Sequence, residues 1–181
     1  MRLMRLIRED LAANPHAKSK FVLTYYRLAH ASLHSHRAIQ VAGIPLRVSY
    51  RLVVDWLMGI DIPSKTRIGR RPILYHGHSL VINEGAIIGD DCILRHSVTI
   101  GNKITESGES KAPHVGNGVE FGAGAVVIGA IEIGDFVTIG ALSVVTRSVP
   151  PNTTVAGNPA RPLEKSTFGS LTAGSNQQGT Q

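Results

Sequence analysis

Bulky apolar side chains return at every sixth position through the C-terminal two-thirds of the chain. Ile62, Ile68 and Leu74 set the phase. It resumes at Ile82, Ile88, Leu94 and Ile100, then holds through Val115, Phe121, Val127, Ile133, Ile139 and Val145. Glycine follows seven of these thirteen anchors directly, at Gly69, Gly89, Gly101, Gly116, Gly122, Gly134 and Gly140. A period of six is neither the 3.6 of an α-helix nor the 2.0 of a flat strand. It predicts a left-handed parallel β-helix, in which three hexapeptides wind one triangular coil. Each anchor should point into the prism and stack on its counterpart in the next coil, with successive coils pairing roughly 4.8 Å apart. The glycine after the anchor is expected to ease a sharp corner.

The phase breaks twice. Leu74 to Ile82 is two residues too long, and Ile100 to Val115 nine too long. The second excess predicts an extruded loop over 102–112, and loops on rigid scaffolds often carry function. Residues 1–60 instead follow a helical period. Val22, Tyr26, Ala29 and Leu33 make one stripe, and Leu52, Val53, Trp56, Leu57 and Ile60 a second. Asn14-Pro15 breaks the first helix, and Gly43-Ile-Pro45 separates later ones. The expected organisation is a helical region over 1–60, a β-helix over 61–163 that closes with a strand folding back, and a disordered Ser-, Gly- and Gln-rich tail over 164–181.

Counting coils puts Leu74, Leu94, Phe121 and Ile139 in one column. The residues two past them, His76, His96, Ala123 and Ala141, should then stack as well: two imidazoles, followed by two small side chains that leave a groove. Asp61 should lie near the corner that holds His76. A carboxylate beside an imidazole fixes its tautomer and stabilises the imidazolium formed on proton abstraction. The alanines serve equally as packing residues, and any one histidine is more often structural than catalytic.

The net charge of +6 admits nucleic acid, a polyanionic small molecule or an anionic membrane surface as partner. The basic residues are not interleaved with exposed aromatics, which argues against nucleic acid. Cys92 is the only cysteine, so an internal disulfide or cysteine-based zinc site is excluded. It follows an anchor by four places and should pack inward. The absence of a signal-peptide pattern or an 18-residue apolar run makes the cytoplasm, at most the inner face of a membrane, the expected location.

The stretch 61–163 resembles the serine acetyltransferase branch of the hexapeptide acyltransferases. The resemblance rests on Asp61-Ile62, Ile68-Gly69, Ile73-Leu-Tyr-His76, Ser97-Val-Thr-Ile-Gly101, Gly122-Ala-Gly-Ala125, Ile139-Gly-Ala141 and the closing Ala156-Gly-Asn-Pro-Ala-Arg161. Tyr26-Arg-Leu-Ala-His30 matches more loosely. Ile68-Gly-Arg-Arg71, His76-Gly77, Leu80-Val-Ile-Asn83, Arg95-His96 and Thr99-Ile-Gly-Asn102 are similar to acetyltransferases of colanic-acid and other exopolysaccharide pathways.

That resemblance implies acetyl-CoA as acetyl donor, no metal, and a homotrimer with sites between subunits. It implies His76 as general base, Asp61 as its carboxylate partner, and Gly101, Asn102, Ala123 and Ala141 lining the acetyl-CoA groove. Departures from the serine enzymes bear on the acceptor. Tyr75 stands where they carry Asp, Lys111-Ala112 where they carry Arg-His, and only Asn14 approximates a substrate-binding Asp of their helical region. An ammonium group would be poorly compensated there. Tyr75, His78, Asn83 and His96 offer neutral donors and acceptors that suit a sugar hydroxyl. Serine O-acetyltransferase and a non-catalytic trimerising β-helix remain the rival readings.

Overall fold

The computed structural model describes residues 2–104 and 110–163. It is a left-handed parallel β-helix of about four turns preceded by a short helical region. The prism has three faces, of five, four and six strands. Their registers reproduce the anchor columns. Leu74 pairs with Leu94, Leu94 with Phe121, and Phe121 with Ile139. Ile68, Ile88, Val115 and Ile133 form a second column, and Ile82, Ile100, Val127 and Val145 a third. All thirteen anchors are buried. A second inward position, two residues before the anchor, carries Ala86, Cys92, Val98, Val119, Ala125 and Val137, all fully buried.

The glycines that follow anchors do not serve the corners in the expected way. None of them has a positive φ. The left-handed corner conformation falls three residues past the anchor, at Arg71, Asp91, Gly118, Phe136, Ser97, Gly124 and Leu142. The glycine is needed because coils approach closely there. A Cβ on Gly89 would meet the carbonyl of Gly116, and one on Gly122 the backbone of Ala141.

The extruded loop leaves the prism as an antiparallel pair, Lys103–Ile104 with Ser110–Lys111. After the last coil, Thr154–Gly157 joins the six-stranded face, and Ala160–Pro162 folds back antiparallel to it. The tail expected over 164–181 lies outside the described residues.

Four helices lead into the prism: α1 (Arg2–Ala13), α2 (Ala17–Leu33), α3 (Arg37–Ala42) and α4 (Ile44–Tyr50). The breaks fall at Asn14-Pro15 and Gly43, as the sequence predicts. Val22, Tyr26 and Ala29 are buried and Leu33 is half-buried. The second predicted stripe is not a buried face. Arg51–Leu57 winds as a π-helix, whose wider turn shifts the apolar positions away from the 3.6-residue pattern. Tyr50 and Val54 point inward, while Trp56 and Leu57 are 77% and 81% exposed. Ile60 is buried, but in the first strand, Ile60–Asp61.

Side chains of the lead bond the backbone of the first coil. Arg27 donates to the carbonyls of Ile68, at 2.7 Å, and Gly69. Tyr26 donates to Thr66, Tyr50 to Ile62 and Ser19 to Leu74. Asn14 is buried, donating to the Pro72 carbonyl and accepting from the Leu74 N–H. It therefore positions a strand, and does not stand in for a substrate-binding Asp.

Candidate active site

The corner between the strands Ile73–Tyr75 and Leu80–Ile82 holds the two-residue excess noted in the sequence. His76 and Ser79 both adopt left-handed backbone, with φ of 62° and 55°. This conformation costs a side-chain-bearing residue roughly 1–2 kcal/mol. It turns the His76 ring out of the prism into solvent. Hydrogen bonds up the corner run from Ser97 N–H to the His78 carbonyl, from Gly124 N–H to His96 and from Leu142 N–H to Ala123. The ladder position beneath His96, Ala123 and Ala141 therefore belongs to His78, which corrects the expected column. Both imidazoles still reach His96. His78 stacks on it with centroids 5.1 Å apart, and His76 meets it edge-on at 6.4 Å.

A recess of about 330 Å³ opens beside His76, between this corner and the start of α2. His16, Lys18, Ser19 and Val22 line one side, and Ile60, Leu74, His76, Gly77 and His78 the other. The His16 ring lies 5.6 Å from that of His76 and 6.0 Å from Tyr75. Tyr75 is also covered by the Arg95 guanidinium, which Glu120 holds at 2.7 Å. His96 Nδ1 is buried with no hydrogen-bond partner among the described residues. Tyr75, His76, His78 and His96 thus come together. His16 and Lys18 join them without having been anticipated. Helical periodicity says nothing of where the Asn14-Pro15 break docks, and that docking delivers them.

Asn83 is not part of this cluster. It sits at the next corner, where its amide donates to Asn102 at 3.2 Å. Asp61 lies outward on the face adjoining the His76 corner, one coil below Val81. Among the described residues no hydrogen bond or ion pair joins it to His76, and it lines a separate recess with Arg51, Asp55 and Lys65. Burial raises the Asp61 pKa, the Asp55 carboxylate adds to the rise, and Arg51 opposes it. Among the described residues no three His, Cys, Asp or Glu converge to hold a metal ion.

Gly101 ends the strand Thr99–Gly101 opposite Ile128. Of the seven glycines that follow anchors, it alone has ordinary room for a Cβ, the nearest atom lying 3.6 Å away. Packing within the chain does not explain it; close approach of a ligand to the backbone would. Ala123 and Ala141 lie one coil apart above His96, and they leave that corner free of bulk.

Cys92 is fully buried, as its position predicts, and its thiol donates to the Gly116 carbonyl at 3.2 Å. Burial pushes its pKa up to about 11, which removes it as a nucleophile. Iodoacetamide at pH 8 should label Cys92 only after unfolding. Stoichiometric labelling of the native chain within minutes, read by mass spectrometry, would mean that the prism opens there.

The WcaB protein of Escherichia coli K12, which bears the name of a colanic acid biosynthesis acetyltransferase, is 40% identical over 157 residues, covering 84% of this chain and 96% of that protein. The chain belongs to the hexapeptide-repeat acetyltransferases. It is an acetyltransferase by that membership. A serine acetyltransferase of Helicobacter pylori is 37% identical over 171 residues, covering 90% of this chain and 95% of its own. Soybean serine acetyltransferase superposes with a TM-score of 0.76 at 32% identity, over 89% of this chain and 69% of that one. A serine acetyltransferase solved in complex with CoA superposes at 0.72 and 28% identity, over the same shares of the two chains. No family model matches the sequence. Similarity thus runs to both acceptor classes, and this acetyltransferase has to be assigned from its site.

Proposed function

We propose that this chain moves an acetyl group from acetyl-CoA to a sugar hydroxyl in exopolysaccharide or capsule biosynthesis, with His76 as general base. The observation that carries the reading is the lining of the His76 recess: three imidazoles, one lysine and no carboxylate. A free amino acid would bring an ammonium group with no counter-charge to meet it. A hydroxyl needs only neutral partners, and imidazoles supply them.

In this mechanism His76 takes the hydroxyl proton as the oxygen attacks the thioester carbon. The C–S bond breaks, and the imidazolium returns the proton to the departing CoA thiolate. The resemblance alone makes Asp61 the carboxylate that offsets the imidazolium, since within the chain it lines the neighbouring recess with Arg51 and Lys65. Asp61→Asn should slow turnover less than loss of the base, and unchanged turnover would remove it from the mechanism. Gly101, Asn102, Ala123 and Ala141 line the path of the CoA arm, with the open space over Gly101 as its support. The similarity to a serine acetyltransferase solved with CoA points the same way.

Acetyl-CoA offered with free L-serine, nucleotide sugars, oligosaccharides and lipid-linked repeat units, with thiol release as readout, tests the assignment. We expect turnover with a sugar acceptor and little with serine. Rapid consumption with serine would transfer the chain to the rival class.

The lead holds nine Lys or Arg against three Asp or Glu, so the net charge of +6 resides in residues 1–60, while the remainder balances. Ile44, Val48, Leu52 and Trp56 lie exposed beside it. A homotrimer on the cytoplasmic side of a membrane that carries the acceptor fits these surfaces. Light scattering should give a three-chain mass, and anionic vesicles should co-sediment the protein at low salt. A monomer, or no vesicle binding, would remove the respective part.

A further inference from the structure

The charge at the mouth of the His76 recess is not used by proton abstraction. Lys18 lines that recess and is exposed, and no hydrogen bond or ion pair holds it among the described residues. Its neighbour Ser19 is fixed, donating to the Leu74 carbonyl at 2.6 Å, so the lysine is anchored at its base where the helical lead meets the catalytic corner. The ring of His16, two residues earlier, lies against His76 and Tyr75 and has no hydrogen-bond partner among the described residues. No Asp or Glu lines the recess. Glu120 is already paired with Arg95, the residue that covers Tyr75. Exposed cations elsewhere are of both kinds: Arg70 meets Asp90 at 2.9 Å and Arg71 meets Asp91 at 2.6 Å, whereas Arg8, Arg37 and Arg67 have no ion pair among the described residues. What sets Lys18 apart is its place in the lining of the His76 recess. That recess presents a cation and imidazole N–H groups to whatever enters, with no counter-ion of the protein's own.

We propose that Lys18 and His16 form a subsite for an anionic group of the acceptor, a carboxylate or a phosphate, that sets the hydroxyl to be acetylated against His76. This rests on the reading of the recess as the acceptor site. Lys18 supplies the charge and reaches the anion as a point contact on a flexible stem. His16 supplies a ring N–H and bounds the recess opposite His78. Both come from the helical lead, so specificity resides in the lead and chemistry in the prism. Because the contact is at an exposed mouth, it is screened by salt. It binds ground and transition states alike, so it acts on KM more than on kcat.

Three matched probes test it: a neutral gluco-oligosaccharide, the same oligosaccharide with a glucuronate unit, and UDP-glucose. The acidic probes should be acetylated with the lower KM, and that advantage should shrink as salt rises from 20 to 300 mM. These settings are of the order that moves the screening length across the recess, from roughly 20 Å to about 6 Å. Preference for the glucuronate probe identifies a carboxylate subsite, and preference for UDP-glucose a phosphate subsite. Lys18→Met should raise KM for the preferred acidic probe about tenfold more than for the neutral one, and Lys18→Arg should restore most of the difference. His16→Gln, which keeps a donor, should cost less than His16→Ala. Equal KM values for neutral and acidic probes, or a Lys18→Met effect of the same size on both, would overturn the subsite while leaving the acetyltransferase reading in place. Transfer to serine and to none of the sugars would overturn the reading beneath it as well.

Discussion

Replacing His76 by Asn should slow acetyl transfer by about 10²–10⁴-fold, the usual worth of a general base, while acetyl-CoA still binds. Asn is chosen because His76 holds a left-handed backbone at φ 62°, which Asn tolerates better than most residues. The corner should therefore keep its shape, and the loss can be ascribed to the imidazole. A sugar hydroxyl is almost wholly protonated at neutral pH, so attack on a thioester needs its proton removed as the new bond forms. His78 is turned onto His96 and donates Nδ1–H to the His76 carbonyl at 2.8 Å, which leaves its Nε2 basic, so His78→Asn belongs beside His76→Asn as a control and should cost far less. Steady-state kinetics with the best sugar acceptor, beside calorimetric binding of acetyl-CoA, would check this. Turnover within threefold of wild type would eliminate His76 as the base.

Arg27→Met should destabilise the fold by about 3–5 kcal/mol, the cost of stranding one member of a buried ion pair. Arg27 Nε meets Asp10 at 2.7 Å, and both side chains are at most 3% exposed. Asp10 also accepts the Arg71 N–H at 2.9 Å. Arg27 thus ties α1 to α2, and through Ile68 and Gly69 it ties α2 to the first coil. Without it, a carboxylate and two carbonyls lose a donor in a place water does not reach. Thermal unfolding should shift down by roughly 10 °C. Adding Asp10→Leu should recover part of the loss, since no lone charge then remains. A shift of a degree or less for Arg27→Met alone would show that the pair does not anchor the lead.

The prism was legible because its periodicity is a direct record of packing: every anchor named from the sequence is buried, in the column assigned to it. Contacts that cross between the two halves of the chain leave no such record. Asn14 bonds Leu74, sixty positions away, and Ser19 bonds the same residue. Nothing in the spacing of residues 14–19 announces it, so His16 and Lys18 were not foreseen. The stripe containing Leu52 and Trp56 fits an α-helical period, but the backbone there winds more widely and turns those side chains outward. The glycines follow the anchors as the spacing shows, but their role concerns the next coil and not their own turn. The two-residue excess after Leu74 was visible, but only the ladder of hydrogen bonds shows that His78 fills the column and His76 is displaced from it.

A parallel β-helix is open at both ends, and its terminal coils present unpaired backbone to any other β-structure they meet. In this chain Asn14, Ser19, Tyr26, Arg27 and Tyr50 occupy carbonyls of the first coil, and the strand Ala160–Pro162 runs back across the last. Both ends are thereby shielded from end-to-end polymerisation. Shortening the lead to isolate the catalytic prism would therefore yield a fibre-prone protein before it yielded an inactive one.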